Sequence, residues 1–225
     1  MFVVAFEVHP GPGQKDYYLG LAKYLKPILE SIDGFIDNER FESRRRPGWV
    51  LSLSTWRDEK SLVRWRSKGE HHKVQERGRS GVFSDYRIRV CEVTADTLGG
   101  ALPGQRFDET EIGEAKALAV TEACPASDGT PGVDAGLLSG ELGPGAGAEG
   151  LTDYDVFDSI YNPGKILLLT SWRTDNAARG WHPALPAAFH VLRHRVTRVI
   201  RDYGMFDRRE APQYYPPVNG AQSQS

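Results

Sequence analysis

Cysteine is scarce in this 225-residue chain, with Cys91 and Cys124 the only two. Two thiols make neither a disulfide framework nor a metal-ligand cluster, and such sparing use suits a reducing cytosol. Long apolar runs are missing too. No stretch approaches the roughly eighteen apolar residues that a membrane span needs. The N-terminal apolar run ends at His9-Pro10 with no basic segment before it, so it reads as a strand and not as a signal peptide. Charge of one sign is also lacking: 28 Lys and Arg against 30 Asp and Glu leave a net charge of −2. That balance favours neither nucleic acid nor an anionic membrane as partner. There is no GxGxxG after a strand, no phosphate-binding loop, no HExxH, no CxxC and no nucleophile elbow. Flavin, nicotinamide and zinc chemistry therefore have no support in the motifs. What is left is a cytoplasmic protein with ample core material, 40% hydrophobic and 26% charged.

The chain does contain a repeat of itself. Gly34 to Arg57 reads GFIDNERFESRRRPGWVLSLSTWR and Gly150 to Arg173 reads GLTDYDVFDSIYNPGKILLLTSWR, at an offset of 116 positions without a gap. Gly, Asp, Phe, Ser, Pro-Gly, two Leu and Trp-Arg fall on the same places. The register persists to Trp65 and Trp181, and at the same offset it sets Phe2–Val8 against Leu118–Cys124. A period this long means two copies of a domain, not the short units of a solenoid. The boundaries read as a first repeat over 1–95, a linker over 96–114, a second repeat over 115–204 and an aromatic tail over 205–225 with a frayed end.

Within the first repeat, Phe2–Val8 is a near-continuous apolar run, as in a strand buried on both faces. Tyr17, Leu21, Tyr24, Leu25, Ile28, Leu29 and Ile32 recur at helical spacing, and Gly34 closes that helix. Phe35–Ser43 is a strand of mixed polarity, nearer an edge. Pro47-Gly48 marks a turn, and Trp49–Trp56 is a half-buried strand. Asp58 caps a helix through Trp65, a further helix covers Glu70–Arg79, and Tyr86–Val93 is the last strand. The order is β-α-β-β-α-β, a ferredoxin-like α+β unit. The second copy is worn. Residues 127–150 are so rich in Gly that only a loop or a short irregular helix is expected there, and the stretch from Trp181 to the closing strand His194–Ile200 is shorter.

The strand Trp49–Trp56, the helix with Trp65, the continuation Arg66-Ser-Lys-Gly-Glu-His-His72 and the closing Phe83-Ser-Asp-Tyr-Arg-Ile88 together resemble the antibiotic biosynthesis monooxygenase family, of the dimeric α/β-barrel superfamily. The likeness covers residues 2–93 and, more weakly, 116–203. It implies a pairing of two such sheets into a barrel, which a tandem chain closes within itself, with a further homodimer left open. It also implies oxidation of a small aromatic, quinol or polyketide-like substrate by molecular oxygen without a cofactor, in a pocket between sheet and helices. Some relatives degrade haem. The Asn that those use early on the first strand is absent from Phe2–Val8, which sets phenol or quinol oxidation ahead of haem chemistry. An isomerase or cyclase using the same pocket, or a barrel that only binds a ligand or haem, are the other readings.

The candidate residues follow. Trp65 matches the pocket-side Trp of several members, and Trp56 is a second aromatic candidate. His71 and His72 are neighbours on a helix, about 100° apart, so only one of them can face a cavity, as a base or an axial haem ligand; the alternative for the pair is a solvated basic face with Arg64, Arg66, Lys68, Lys73, Arg77 and Arg79. Tyr24, with Tyr17 and Tyr18, and Tyr86 on the last strand offer hydroxyls to a substrate. His182 and His190 with Arg193 and Arg195 form a lesser polar set in the second half. The tail, through Phe206 and Tyr214-Tyr215, is expected to cover surface that the worn second copy leaves open.

Overall fold

The computed structural model describes residues 1–99, 104–125, 148–185 and 189–216. Its strands are β1 Phe2–Pro10, β2 Phe35–Ser43, β3 Val50–Trp56, β4 Phe83–Asp96, β5 Ala117–Pro125, β6 Leu151–Ser159, β7 Ile166–Trp172 and β8 Phe189–Gly204. Helix α1 (Lys15–Glu30) joins β1 to β2. Helices α2 (Glu59–Arg66) and α3 (Gly69–Arg77), with a π-helical turn over Gly78–Val82, join β3 to β4, and α4 (Asp175–Gly180) lies between β7 and β8. The first half lays its strands β4-β1-β3-β2 and the second β8-β5-β7-β6, every pairing antiparallel. Antiparallel pairing of β2 with β6 and of β4 with β8 closes the two sheets into one barrel. This is the tandem ferredoxin-like arrangement expected from the repeat.

The alternation of side chains along each strand divides the core. Val3, Ala5, Leu51 and Leu53 point into the barrel and meet Leu118, Val120, Leu167 and Leu169 of the other half. Phe2, Val4, Phe6 and Val8 point outward beneath the helices, so β1 is buried on both faces. The repeated glycines have a conformational reason. Gly34 and Gly150 sit at φ +86° and +82°, Gly48 and Gly164 at +81° and +85°, where a side chain is strained. The helix starts repeat too: Asp58 accepts from Ser61 N at 2.8 Å, and Thr174 from Ala177 N at 3.1 Å.

In one place the repeat is out by a residue. Phe2 pairs with Trp56 and Ala117 with Trp172, so β1 and β5 correspond at an offset of 115 and not 116. A slip of one residue turns every side chain of a strand to its other face, and both strands are apolar enough to hide it in the sequence. The observed register sets Glu7 against Glu122. Arg89 pairs with Glu7 and donates to Ser171 Oγ across the seam at 2.7 Å. In the mirrored place Arg195 pairs with Glu122 at 2.6 Å and donates to Thr55 Oγ1 at 3.0 Å. Arg46 reaches both Glu7 (2.5 Å) and Asp155 (2.8 Å). Burial would raise the Glu7 carboxyl, but the charges of Arg89 and Arg46 outweigh it and hold Glu7 below the usual range.

Other differences concern extent. Strands β4 and β8 run past the expected Tyr86–Val93 and His194–Ile200 because each pairs with the other as well as within its own sheet. The linker is docked: Thr110 N donates to Val199 O at 2.8 Å, and Glu210 of the tail accepts from Thr110 Oγ1 at 2.8 Å and Glu111 N at 2.7 Å. Most of the Gly-rich segment and the end of the tail lie outside the described residues. Among those residues no helix is long and apolar enough to cross a membrane.

Candidate functional site

A cavity of about 190 Å³ lies between the outer face of the first sheet and its helices. Its floor is Val4 and Phe6 of β1, Ser52 and Ser54 of β3, and Ile88 and Val90 of β4. Ala22, Leu25 and Leu29 of α1 form one wall, and Leu62, Trp65, His71 and Val74 of α2 and α3 the other. The strand period of two sends these residues outward while their neighbours fill the barrel. The tail crosses over to this unit, and Arg208, Gln213 and Tyr215 complete the lining.

The break between α2 and α3 sets the imidazole wall. Gly69 opens α3 after Lys68, turning His71 back onto Trp65, where the rings stack at 4.2 Å and 15°. The His71 Nδ1 lies 3.2 Å from the Trp65 carbonyl oxygen. A carbonyl only accepts, so Nδ1 carries the proton and Nε2 is left as the acceptor. Burial pushes the His71 imidazole down to about 4, against the pull of that carbonyl. The ring is therefore neutral near pH 7, with Nε2 free to accept a hydrogen bond from a bound molecule.

A second group gathers where the tail arrives. Tyr86, buried on β4, accepts at its hydroxyl from Arg79 Nη1 at 2.5 Å and from Arg208 Nη1 at 2.8 Å. The Tyr215 ring lies 5.3 Å from the Arg79 guanidinium and 5.2 Å from that of Arg208. The Tyr215 hydroxyl donates to Gln75 Oε1 at 3.0 Å and lies 2.9 Å from His72 Nδ1. Also in the lining, the Tyr18 hydroxyl is buried beside the Arg40 guanidinium. Burial raises the Tyr18 phenol, opposed by the charge of Arg40 and by a hydrogen bond to it. No Asp or Glu lines the cavity among the described residues, whereas Lys26, Arg40, Arg66, Arg79 and Arg208 do. Nor do three or more His, Cys, Asp or Glu side chains come together there as metal ligands.

The family model described as antibiotic biosynthesis monooxygenase matches residues 1–77. A curated protein of Pyricularia oryzae named jasmonate monooxygenase ABM is 43% identical over 227 residues, covering 97% of this chain and 100% of the relative. The chain belongs to the antibiotic biosynthesis monooxygenase family. Its reaction class is accordingly that of a monooxygenase. Among solved structures, an anthrone oxidase-like protein is similar at 13% identity and a TM-score of 0.35, over 94% of this chain and 96% of that one. A conserved protein from Methanosarcina mazei is similar at 18% identity and a TM-score of 0.37, over 40% of this chain and 88% of that one. These likenesses are too remote to bear on the site.

Of the residues named from the sequence of this family member, Trp65, His71 and Tyr86 line the cavity. His72 does not; it stacks on Tyr215 at 5.5 Å and faces Glu76 at 3.5 Å. Tyr24 is a correction. It is 59% exposed, because the buried stripe of α1 is Tyr18, Ala22, Leu25 and Leu29, rotated from the one counted with every tyrosine as apolar. Trp56 is another. It is fully buried outside the lining, donates from Nε1 to Ser54 Oγ at 2.9 Å and packs edge-on to Phe35. Trp172 repeats this with Thr170 Oγ1 at 2.8 Å, which marks both tryptophans as core. His190 meets Cys124 Sγ at 3.1 Å on the second unit, away from the cavity. The tail, expected over the second half, instead closes the first with Tyr215, while Phe206 and Tyr214 are exposed. Tyr18, named beside Tyr24, does line the cavity, whereas Arg79, Arg208 and Arg40 are lining residues that the sequence does not single out. Arg79 is hidden in a basic run, and Arg208 is far away in the chain.

Proposed function

We propose that this monooxygenase oxidises a small, largely apolar and ionisable molecule in the first-unit cavity, with dioxygen as co-substrate and no bound cofactor. The observation that carries the reading is His71. It is an imidazole kept neutral by burial, fixed in one tautomer by the Trp65 carbonyl and set in the wall of a mostly apolar cavity. His71 Nε2 takes the proton from an acidic C–H or O–H of the substrate. The resulting anion is electron-rich enough to reduce dioxygen. Addition of dioxygen to a methylene carbon, with return of the proton, turns one of its C–H bonds into a C–O–O–H hydroperoxide. Loss of water then leaves a carbonyl, so one oxygen atom stays in the product and the other departs in the water. The protein's part is to bind, to move the proton and to keep water from the anion. Trp65 shapes the wall, and Tyr86 offers a hydrogen bond to a substrate oxygen.

The name of the Pyricularia oryzae relative makes jasmonate, a small keto acid, the first compound to try, with phenols and quinols after it. Oxygen uptake and mass spectrometry under isotopically heavy dioxygen test the reading on protein treated with chelator and free of flavin and haem absorbance. Labelled product from this preparation is expected. Turnover that appears only when a flavin, haem or metal is restored would overturn the cofactor-free part. An absence of oxidation with the keto acid and with every phenol and quinol tried would overturn the substrate class.

A further inference from the structure

We infer that the cavity holds its substrate by a carboxylate, gripped between Arg79 and Arg208; this rests on the proposed function for what happens next, not for the binding itself. The inference starts from charge. Arg79 is 7% exposed, yet its partners are the Tyr86 hydroxyl, Met205 O and Pro216 O, all neutral. Arg208 likewise donates to the Tyr86 hydroxyl, Gly204 O and Gln213 O. Neither makes an ion pair among the described residues. The other deeply buried arginines do: Arg89 has Glu7 and Arg195 has Glu122.

Two guanidiniums converging on one phenol repel each other, and burial makes that repulsion more costly. An anion between them removes the penalty. The donors for it are present, since Arg208 Nε is buried without a partner and a guanidinium presents its N–H groups in a fork that fits a carboxylate. The Tyr215 ring, lying against both cations, covers the pair from the tail side. The rest of the lining is mostly apolar, so the ligand class is a compact apolar body with one carboxylate. Arg40, a lining cation that faces the Tyr18 hydroxyl and makes no hydrogen bond to Tyr86 among the described residues, serves as the control.

The probe is jasmonic acid with its methyl ester, titrated calorimetrically into the full chain under anaerobic conditions. The acid should bind at least tenfold tighter than the ester. Arg208→Gln should weaken the acid by roughly ten- to a hundredfold, the value of one charge-assisted hydrogen-bonded contact, and collapse the preference over the ester. Arg79→Gln should do the same. Because Arg79 is buried, Arg208→Gln carries the test if that variant fails to fold. Arg40→Gln should keep the preference. Equal binding of acid and ester, binding of neither, or loss of the preference in Arg40→Gln but not in Arg208→Gln would overturn the clamp. Arginine-dependent binding of the acid without its oxidation would leave the clamp standing and count against the proposed function alone.

Discussion

His71 is the residue on which the proposed chemistry turns, and its environment fixes how it should respond to pH. Its folded value near 4 lies below the usual 6.5. As pH falls from 6.5 the unfolded chain takes up this proton first, so the native state loses stability progressively until about pH 4, below which the loss is complete. Replacing His71 with Ala removes that contribution. The difference between wild-type and variant stability, from urea melts at several pH values, should change across this window and be flat above it. The same substitution should lower kcat by about 10²- to 10⁴-fold, the usual contribution of a general base. His72→Ala, His182→Ala and His190→Ala should keep most of the activity. If only the second-half changes abolish turnover in folded protein, the base has been misassigned. The sequence placed Trp65 and the His pair near one another because helical spacing is short-range. It could not separate Trp56 from Trp65, or Tyr24 from Tyr18. Which face of an element is covered depends on partners distant in the chain, and a tyrosine ring is apolar enough to be counted on either face.

At the level of elements, the cavity is completed by two pieces that lie outside the matched repeat segments. The kink between α2 and α3 brings His71 onto Trp65, and the tail after β8 returns to the first unit with Arg208 and Tyr215. Glu210 anchors the tail by accepting from Asp202 N at 2.7 Å as well as from Thr110 and Glu111. Cutting the chain after Gly204 should therefore leave the barrel folded but open the cavity to water. The expected outcome is a native-like circular dichroism spectrum with a KM raised about tenfold or more. Unchanged kinetics in the truncated chain would mean that the tail is a bystander. The tail's destination was not legible because an aromatic segment states that it will be buried and not where. The elements of the repeat were legible in detail, since Gly34, Pro47-Gly48 and Asp58 are local signals tied to turn and cap geometry. The register of β5 was not, because two apolar strands match equally well one residue apart.

For the whole molecule, fusion of two ferredoxin-like units settles how the sheets are covered and leaves the units free to diverge. The barrel interior stays symmetric, down to the matched pairs Arg89 with Glu7 and Arg195 with Glu122, each reaching across the seam to a hydroxyl of the other half. Removing one member of such a buried pair typically costs about 3–5 kcal/mol, which gives both halves reason to keep them. The outer faces differ. The first unit carries α1, α2, α3 and the returning tail over its sheet, whereas the described residues between β7 and β8 of the second include only the short α4. The proposed division is of labour: the second unit completes the barrel and the first, which keeps the helices and the cavity, is the one proposed to hold the substrate. A crystal structure of the full chain grown with jasmonic acid tests this most directly. The ligand should lie in the first-unit cavity against Trp65 and His71, with its carboxylate between Arg79 and Arg208. A ligand bound over the second sheet would contradict it.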